Sequence, residues 1–315
     1  MKRYLPFALL LILCLLALTA CGGTGEEDAQ EDTPPEAQAD QQPEAETQSE
    51  PEAQPEEEPD AEGPEEEAEI EVELQSMPDT ADVDIEILPE AHIVGDAVSV
   101  GELAYDSRGG GEYSVYLPEK QRYVPFLVLT GDYGGNALLL RRDILPGARA
   151  FNNYSAFYED SEIDRWLNGE YAAWLTDIQS LLRPSEIAIT EEESLGASGN
   201  STKTITRTIF LLSCAETGFL NLTNTGTEGG ALSFFQTVEN RTARKEDGSA
   251  ASWWLRTPDA YYLSAAYGIG PDGTLGSGNA YNENGVRPAL CVPPDAQAVP
   301  ADNIADGQSV YILLA

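Results

Sequence analysis

Between Gly22 and Glu90 the chain carries 27 Asp and Glu and not one Lys or Arg. Scarcely an aromatic or branched apolar residue interrupts this run before Ile70. Such a segment cannot bury enough apolar surface to offset the entropy of ordering, and its like charges repel one another. Residues 22–84 therefore read as a disordered, Pro/Glu-rich acidic spacer. A neutral flexible chain of this length would span roughly 45 Å, and charge repulsion with scattered Pro extends it further. Folding is thereby confined to residues 85–315, enough for one sizeable domain.

The same charge balance excludes whole classes of function. The formal net charge is −38, from 55 Asp and Glu against 17 Lys and Arg. No basic stripe overcomes that field locally, so nucleic-acid binding is excluded as an expectation. A single His removes Ser-His-Asp, Cys-His and multi-His zinc chemistry, each of which needs imidazole at the reacting centre.

Residues 1–21 begin with Lys2-Arg3, continue as an apolar run from Leu5 to Ala20 and end Leu18-Thr19-Ala20-Cys21-Gly22. The run is shorter than the ~20 residues of a spanning helix. It resembles a bacterial lipoprotein signal peptide with its lipobox. That resemblance implies a diacylglyceryl modification on Cys21, whose two acyl chains make a stable membrane anchor where one would be marginal. The expected location is extracellular, lipid-anchored at the outer face of a bacterial cytoplasmic membrane, in a Gram-positive envelope.

From about Ile85 short apolar runs alternate with Gly, Asn, Asp and Pro. Strands are expected at Ile93–Val100, Tyr113–Leu117, Val124–Thr130 and Ala137–Arg141, the last two joined by a hairpin loop over Gly131–Asn136. Ile163, Trp166, Leu167, Tyr171, Trp174, Leu175 and Ile178 recur at helical spacing behind a Ser161/Asp164 capping signature, with Gly169 expected to split the helix. Ile205–Ser213 reads as one buried strand, and loops dominate Gly218–Ser252. Trp253–Pro258 reads as an aromatic strand, Tyr262–Ile269 and Thr274–Tyr281 as a hairpin around Pro271-Asp272-Gly273, and Gly285–Val292 as the closing strand.

Four ordered motifs carry a family resemblance: Asp160-Ser161-Glu162-Ile163 through Trp166-Leu167-Asn168-Gly169; Phe210-Leu211-Leu212-Ser213 with Glu216; Trp253-Trp254-Leu255-Arg256-Thr257-Pro258; and Gly285-Val286-Arg287-Pro288-Ala289-Leu290. From about Ile93 to Val292 the chain resembles an uncharacterised bacterial family, a domain of unknown function common in exported proteins of Gram-positive gut bacteria. The final segment is more remotely similar to the C-type-lectin-like fold of the sulfatase-modifying factors. That likeness implies an α+β domain with a twisted antiparallel sheet, one or two helices and long ligand-facing loops.

Residue by residue, the chemistry points to binding. Between Thr257 and Gly285, 15 of 29 residues are Tyr, Ser, Asn or Gly, the palette of adaptable recognition loops. Trp254, Tyr262, Tyr267, Tyr281 and Asn282 are the candidate ligand contacts. Arg256 and Arg287 either grip an anionic ligand group or pair internally with Asp160, Glu162 or Glu216. Neighbouring residues on a strand face opposite ways, so only one of Trp253 and Trp254 can serve one face.

Gly268-Ile269-Gly270-Pro271-Asp272-Gly273 mimics a dinucleotide motif, but Pro-Asp-Gly makes a turn where that motif starts a helix. Asn279, Asn282, Glu283 and Asn284 are a thin oxygen set for calcium, and no cofactor or metal is expected. Cys214 and Cys291 either form a disulfide or remain buried thiols. The sulfatase-modifying relatives use a cysteine pair for copper-dependent oxidation, and Cys291 has no sequence neighbour to complete one. The expectation is a non-catalytic, stalked surface domain that binds an extracellular protein or carbohydrate, without catalytic residues. The alternative is a cell-envelope enzyme of the sulfatase-modifying type or a hydrolase.

Overall fold

Ser114–Glu119, Arg122–Tyr133 and Asn136–Arg141 form an antiparallel meander. Ala137 to Leu140 are all buried, so this part of the sheet is covered on both faces and its sequence reads as an apolar run without alternation. The Gly134-Gly135 turn has φ of 60° and 86° at its two central residues, the left-handed pair that a tight hairpin requires. The preceding turn achieves the same at Lys120 and Gln121, with φ of 47° and 61° and no glycine. The Lys120 N–H donates to the Trp174 carbonyl at 3.0 Å, and its ammonium lies 3.3 Å from the Trp174 ring centroid. Tertiary contacts thus hold a backbone that local sterics disfavour.

The computed structural model describes residues 90–192, 201–220, 222, 225–259, 261–305 and 308–315. The expected lipobox with Cys21 and the expected acidic spacer over 22–84 lie outside the described residues. The meander sits within a nine-stranded sheet. Ala289–Val292 pairs with Asn136–Arg141, and Ile209–Phe210 lies beyond it. On the other side Gln308–Leu313 runs parallel to Ser114–Glu119 and antiparallel to Gln297–Ala305, which also pairs with Val98–Ser99 and His92–Ile93. The expected closing strand is therefore an interior one. The hairpin after it escapes sequence reading because Pro300, Asp302 and Asn303 interrupt its apolar pattern, and Asn303 itself takes φ of 63°.

Ser161 opens the helical segment, its hydroxyl accepting the Asp164 N–H at 3.2 Å. An α-turn over Glu162–Trp166 passes into a π-turn over Leu167–Tyr171 and a 3-10 segment over Ala172–Ile178. The Gly169 break is thus a change of helical pitch rather than a gap. Ile163, Trp166, Leu167, Tyr171, Leu175 and Ile178 are buried, as their spacing requires. The expected Ile205–Ser213 strand divides at Thr208: Thr202–Arg207 pairs with Ser185–Thr190, whereas Ile209–Phe210 enters the large sheet. Ile93–Val100 likewise resolves into two short ladders leading into a 3-10 turn over Val100–Leu103. Trp253–Pro258, Ala265–Ile269 and Leu275–Asn279 form a separate three-stranded antiparallel sheet. The result is a mixed, sheet-rich α+β architecture with little helix.

Candidate functional site

Three loops meet beside that smaller sheet. Ala156 N–H donates to the Leu263 carbonyl at 3.0 Å, Ala280 N–H to the Ser264 carbonyl at 2.7 Å, and both Phe151 and Asn152 N–H to the Ala280 carbonyl. Backbone bonds therefore tie the loop around Tyr154 to those around Tyr262 and Tyr281. All three present large side chains to solvent: Tyr154 is 79% exposed, Tyr261 67%, Tyr262 66%, Leu263 57% and Tyr281 54%. Half the strongly exposed large apolar residues of the described structure gather here, where scattered single ones would be unremarkable. Asn279 donates its amide to the Tyr281 hydroxyl at 2.9 Å, and Asn282 and Ser277 are exposed nearby.

Behind this face lies a groove of about 270 Å³ whose lining includes Trp254, Gly268, Gly276, Ser277, Gly278 and Asn282. Cross-strand register puts Trp254, Gly268 and Gly276 on one face of the sheet, and Tyr267 with Ser277 on the other. Glycine is required at Gly268, where an added Cβ would lie 2.8 Å from the Trp253 carbonyl oxygen.

Several expected contacts need correction. Trp254 is only 1% exposed, donates its indole N–H to the Arg149 carbonyl at 2.9 Å and packs edge-on against Phe151. It is a structural floor, not an open stacking platform, and Trp253 is buried as well. Tyr267 is half-buried and packs against the core. Tyr262, Tyr281 and Asn282 are exposed, and Tyr154, Tyr261 and Leu263, outside the expected set, are exposed on the same three loops. The signal for Tyr154 was present in Asn152-Asn153-Tyr154-Ser155, the same residue palette more than 100 positions earlier.

Arg256 is fully buried, so the internal pairing is the one it makes. Its Nη1 and Nη2 donate to the two Glu216 oxygens, and further bonds reach the Ala188 and Leu211 carbonyls at 3.0 and 2.8 Å. Tyr133 donates its hydroxyl to Glu216 at 2.5 Å, and Ser213 N–H reaches the other carboxylate oxygen at 2.9 Å. Burial by itself would lower the Arg256 pKa, but the Glu216 charge and hydrogen bonds reverse that and raise it. Glu228 stands beside this pair, accepting from Thr190 N–H, the Thr190 hydroxyl and the Thr257 hydroxyl at 2.7, 2.8 and 2.6 Å. Burial raises its pKa against the opposing Arg256 charge and these bonds.

Two further arginines make equivalent clasps: Arg141 with Glu119, which also accepts from the Tyr171 hydroxyl at 2.8 Å, and Arg207 with Asp164. Asp164 spends its second role on Arg207 and the Asp160 N–H, so it does not complete the expected capping box. These networks lock strands, loops and helix together.

Cys214 and Cys291 are separate buried thiols without a disulfide between them. Cys291 is interior to the large sheet, and Cys214 N–H donates to the Thr257 hydroxyl at 2.9 Å. Burial pushes the Cys291 thiol up to about 12. Among the oxygen set considered for calcium, Asn284 Oδ1 accepts from the Ser252 hydroxyl and Gly285 N–H, and Asn279 is engaged with Tyr281. Among the described residues no group of three or more His, Cys, Asp or Glu is placed to hold a metal, and no helix is long and apolar enough to cross a membrane.

Sheet, helix and loop face together define an α+β domain in which loops are mounted on a rigid, ion-paired scaffold. The chain belongs to the family described as Domain of unknown function (DUF6273), whose model matches residues 134–294. That span takes in the helical segment, the Arg256–Glu216 pair with Glu228, and all three loops of the tyrosine face. No curated protein and no solved structure matches the chain.

Proposed function

We propose that this is a non-catalytic binding domain whose tyrosine-rich loop face takes an extracellular carbohydrate. The observation that carries the reading is the gathering of Tyr154, Tyr261, Tyr262, Leu263 and Tyr281 on three hydrogen-bonded loops. Tyrosine offers an apolar ring and a polar tip at low entropic cost, and Ser277, Asn279 and Asn282 add adaptable hydrogen-bonding groups. A sugar presents the same mixture of C–H faces and hydroxyls. The acidity of the chain favours a neutral glycan over a polyanion. The finer fold reading, a C-type-lectin-like domain, rests on the motif order and on the long loops set on an antiparallel sheet.

The lipobox supports placement of the domain outside the cytoplasmic membrane, held by the acyl chains of Cys21 at the end of the acidic spacer. A panel of neutral glycans, probed with the full chain and with its Tyr154→Ala/Tyr262→Ala/Tyr281→Ala variant, tests the function. Saturable binding lost in the variant is the expected result. Turnover of a glycan would favour the alternative of a cell-envelope hydrolase, and capture of a protein ligand alone by the same face would replace the carbohydrate reading.

A further inference from the structure

Arg287 is 2% exposed, yet its guanidinium makes a single hydrogen bond, from Nε to the Arg141 carbonyl at 3.1 Å. Nη1 is buried without any partner among the described residues, the one such side-chain atom there. The group sits 4.7 Å from the centroid of the Trp253 ring, which eases burial of the cation but supplies no acceptor. Leaving a charged donor unmatched is costlier than leaving a neutral one so. Arg256 and Arg141 in the same domain each pair with a carboxylate; among the described residues Arg287 makes no such ion pair.

Arg287 also forms part of the wall of a cavity of about 390 Å³, distinct from the groove behind the tyrosine face. Arg142, Arg244 and Lys245 are its other cationic groups, Glu112, Asp143, Glu239 and Glu246 its anionic ones, Glu246 being already paired with Arg122 and Arg141, and Leu127 and Phe234 are its apolar part. Arg142 is engaged with Asp143 at 3.2 Å, and Arg244 donates to the Gly248 carbonyl at 2.8 Å. We propose that this cavity is a binding site for a small monocarboxylate, with the carboxylate answering the unmatched guanidinium of Arg287.

The planar fork of arginine matches a carboxylate, and the acidic part of the wall disfavours doubly charged anions such as phosphate. The overall negative charge opposes entry of any anion, but exposed charges beyond about 8 Å are screened at physiological salt, whereas contact with a buried guanidinium is not. Burial pulls the Arg287 pKa down to about 9, so the group remains cationic at neutral pH.

The test is titration of the full chain with sodium acetate, followed through the indole resonance of Trp253, with sodium chloride at matched ionic strength as control. A saturable, acetate-specific shift in the millimolar range is expected. Arg287→Gln should abolish it, and Arg287→Lys should weaken it about tenfold, since ammonium lacks the fork. Should the buried substitutions disturb folding, Arg244→Gln/Lys245→Gln at the exposed wall retains the fold and should weaken acetate at least about threefold, because two flanking cations are gone. No saturable shift, the same shift with chloride, an unchanged shift in a folded Arg287→Gln variant, or wild-type affinity in the wall variant would overturn the proposal.

Discussion

Arg256 and Glu216 meet through two parallel hydrogen bonds, Nη1 to Oε2 at 2.7 Å and Nη2 to Oε1 at 3.0 Å, both side chains sealed from solvent. Removing one partner leaves the other charged and buried. Arg256→Met or Glu216→Gln should each lower the unfolding free energy by about 3–5 kcal/mol, read from denaturant midpoints. The double variant Arg256→Met/Glu216→Gln should cost less than the sum, because the second change removes the stranded charge. Strict additivity would mean that the two do not act as a pair.

The loop face should behave oppositely. Alanine at Tyr154, Tyr262 and Tyr281 together should reduce glycan binding at least about tenfold while each change alters stability by no more than about 0.5 kcal/mol. Tyr267→Ala makes the internal contrast: it removes packing against the core and should depress the melting temperature. A melting temperature that falls as much for the exposed trio as for Tyr267 would place those rings in the scaffold.

Thiol chemistry offers a pH signature. With the Cys291 thiol pushed up to about 12 from an ordinary value of 9 by burial, the folded state holds its proton where the unfolded state releases it. The stability contributed by this group is fully present below pH 9 and is lost as the pH rises toward 12. Alkylating reagents at neutral pH should leave Cys214 and Cys291 intact in the native protein and label both after unfolding in denaturant. Rapid native labelling at either position would contradict their burial.

Gly268→Ala should destabilise by roughly 1–3 kcal/mol, since the new methyl would approach the Trp253 carbonyl oxygen to 2.8 Å and the clashing atom is backbone. Gly276→Ala, in the neighbouring strand with open space above it, should be close to neutral in the same thermal melt.

Cys21→Ser removes the acceptor of the expected lipid. The wild-type mature chain should partition with membranes, and the variant should lose that partitioning. Equal membrane association of the two would exclude lipidation at Cys21 as the anchor.

Much of the scaffold was legible in the sequence because local rules and tertiary needs agree there. The helical face from Ile163 to Ile178 follows its spacing, the Gly134-Gly135 turn follows glycine chemistry, and the Pro271-Asp272-Gly273 turn joins the strands Ala265–Ile269 and Leu275–Asn279. The tyrosine face was legible by composition for Tyr262 and Tyr281. Tyr154 entered it only through backbone bonds between distant loops. Glu228, which closes the buried network around Arg256, sits in a glycine-rich loop whose sequence resembles any exposed turn.

The sequence alone determined the buried face of the helical segment from Ile163 to Ile178 and the extended core strands from Val124 to Arg141, since periodicity and apolar runs are set by the chain's own geometry. Tertiary structure alone decided which of two like residues does what. Arg256 pairs with Glu216, whereas Arg287 pairs with no carboxylate among the described residues; Trp254 is sealed while Tyr281 is open. Burial and pairing are properties of the neighbours that folding supplies, and residues 40 or 100 positions away leave no mark on the local pattern that would announce them.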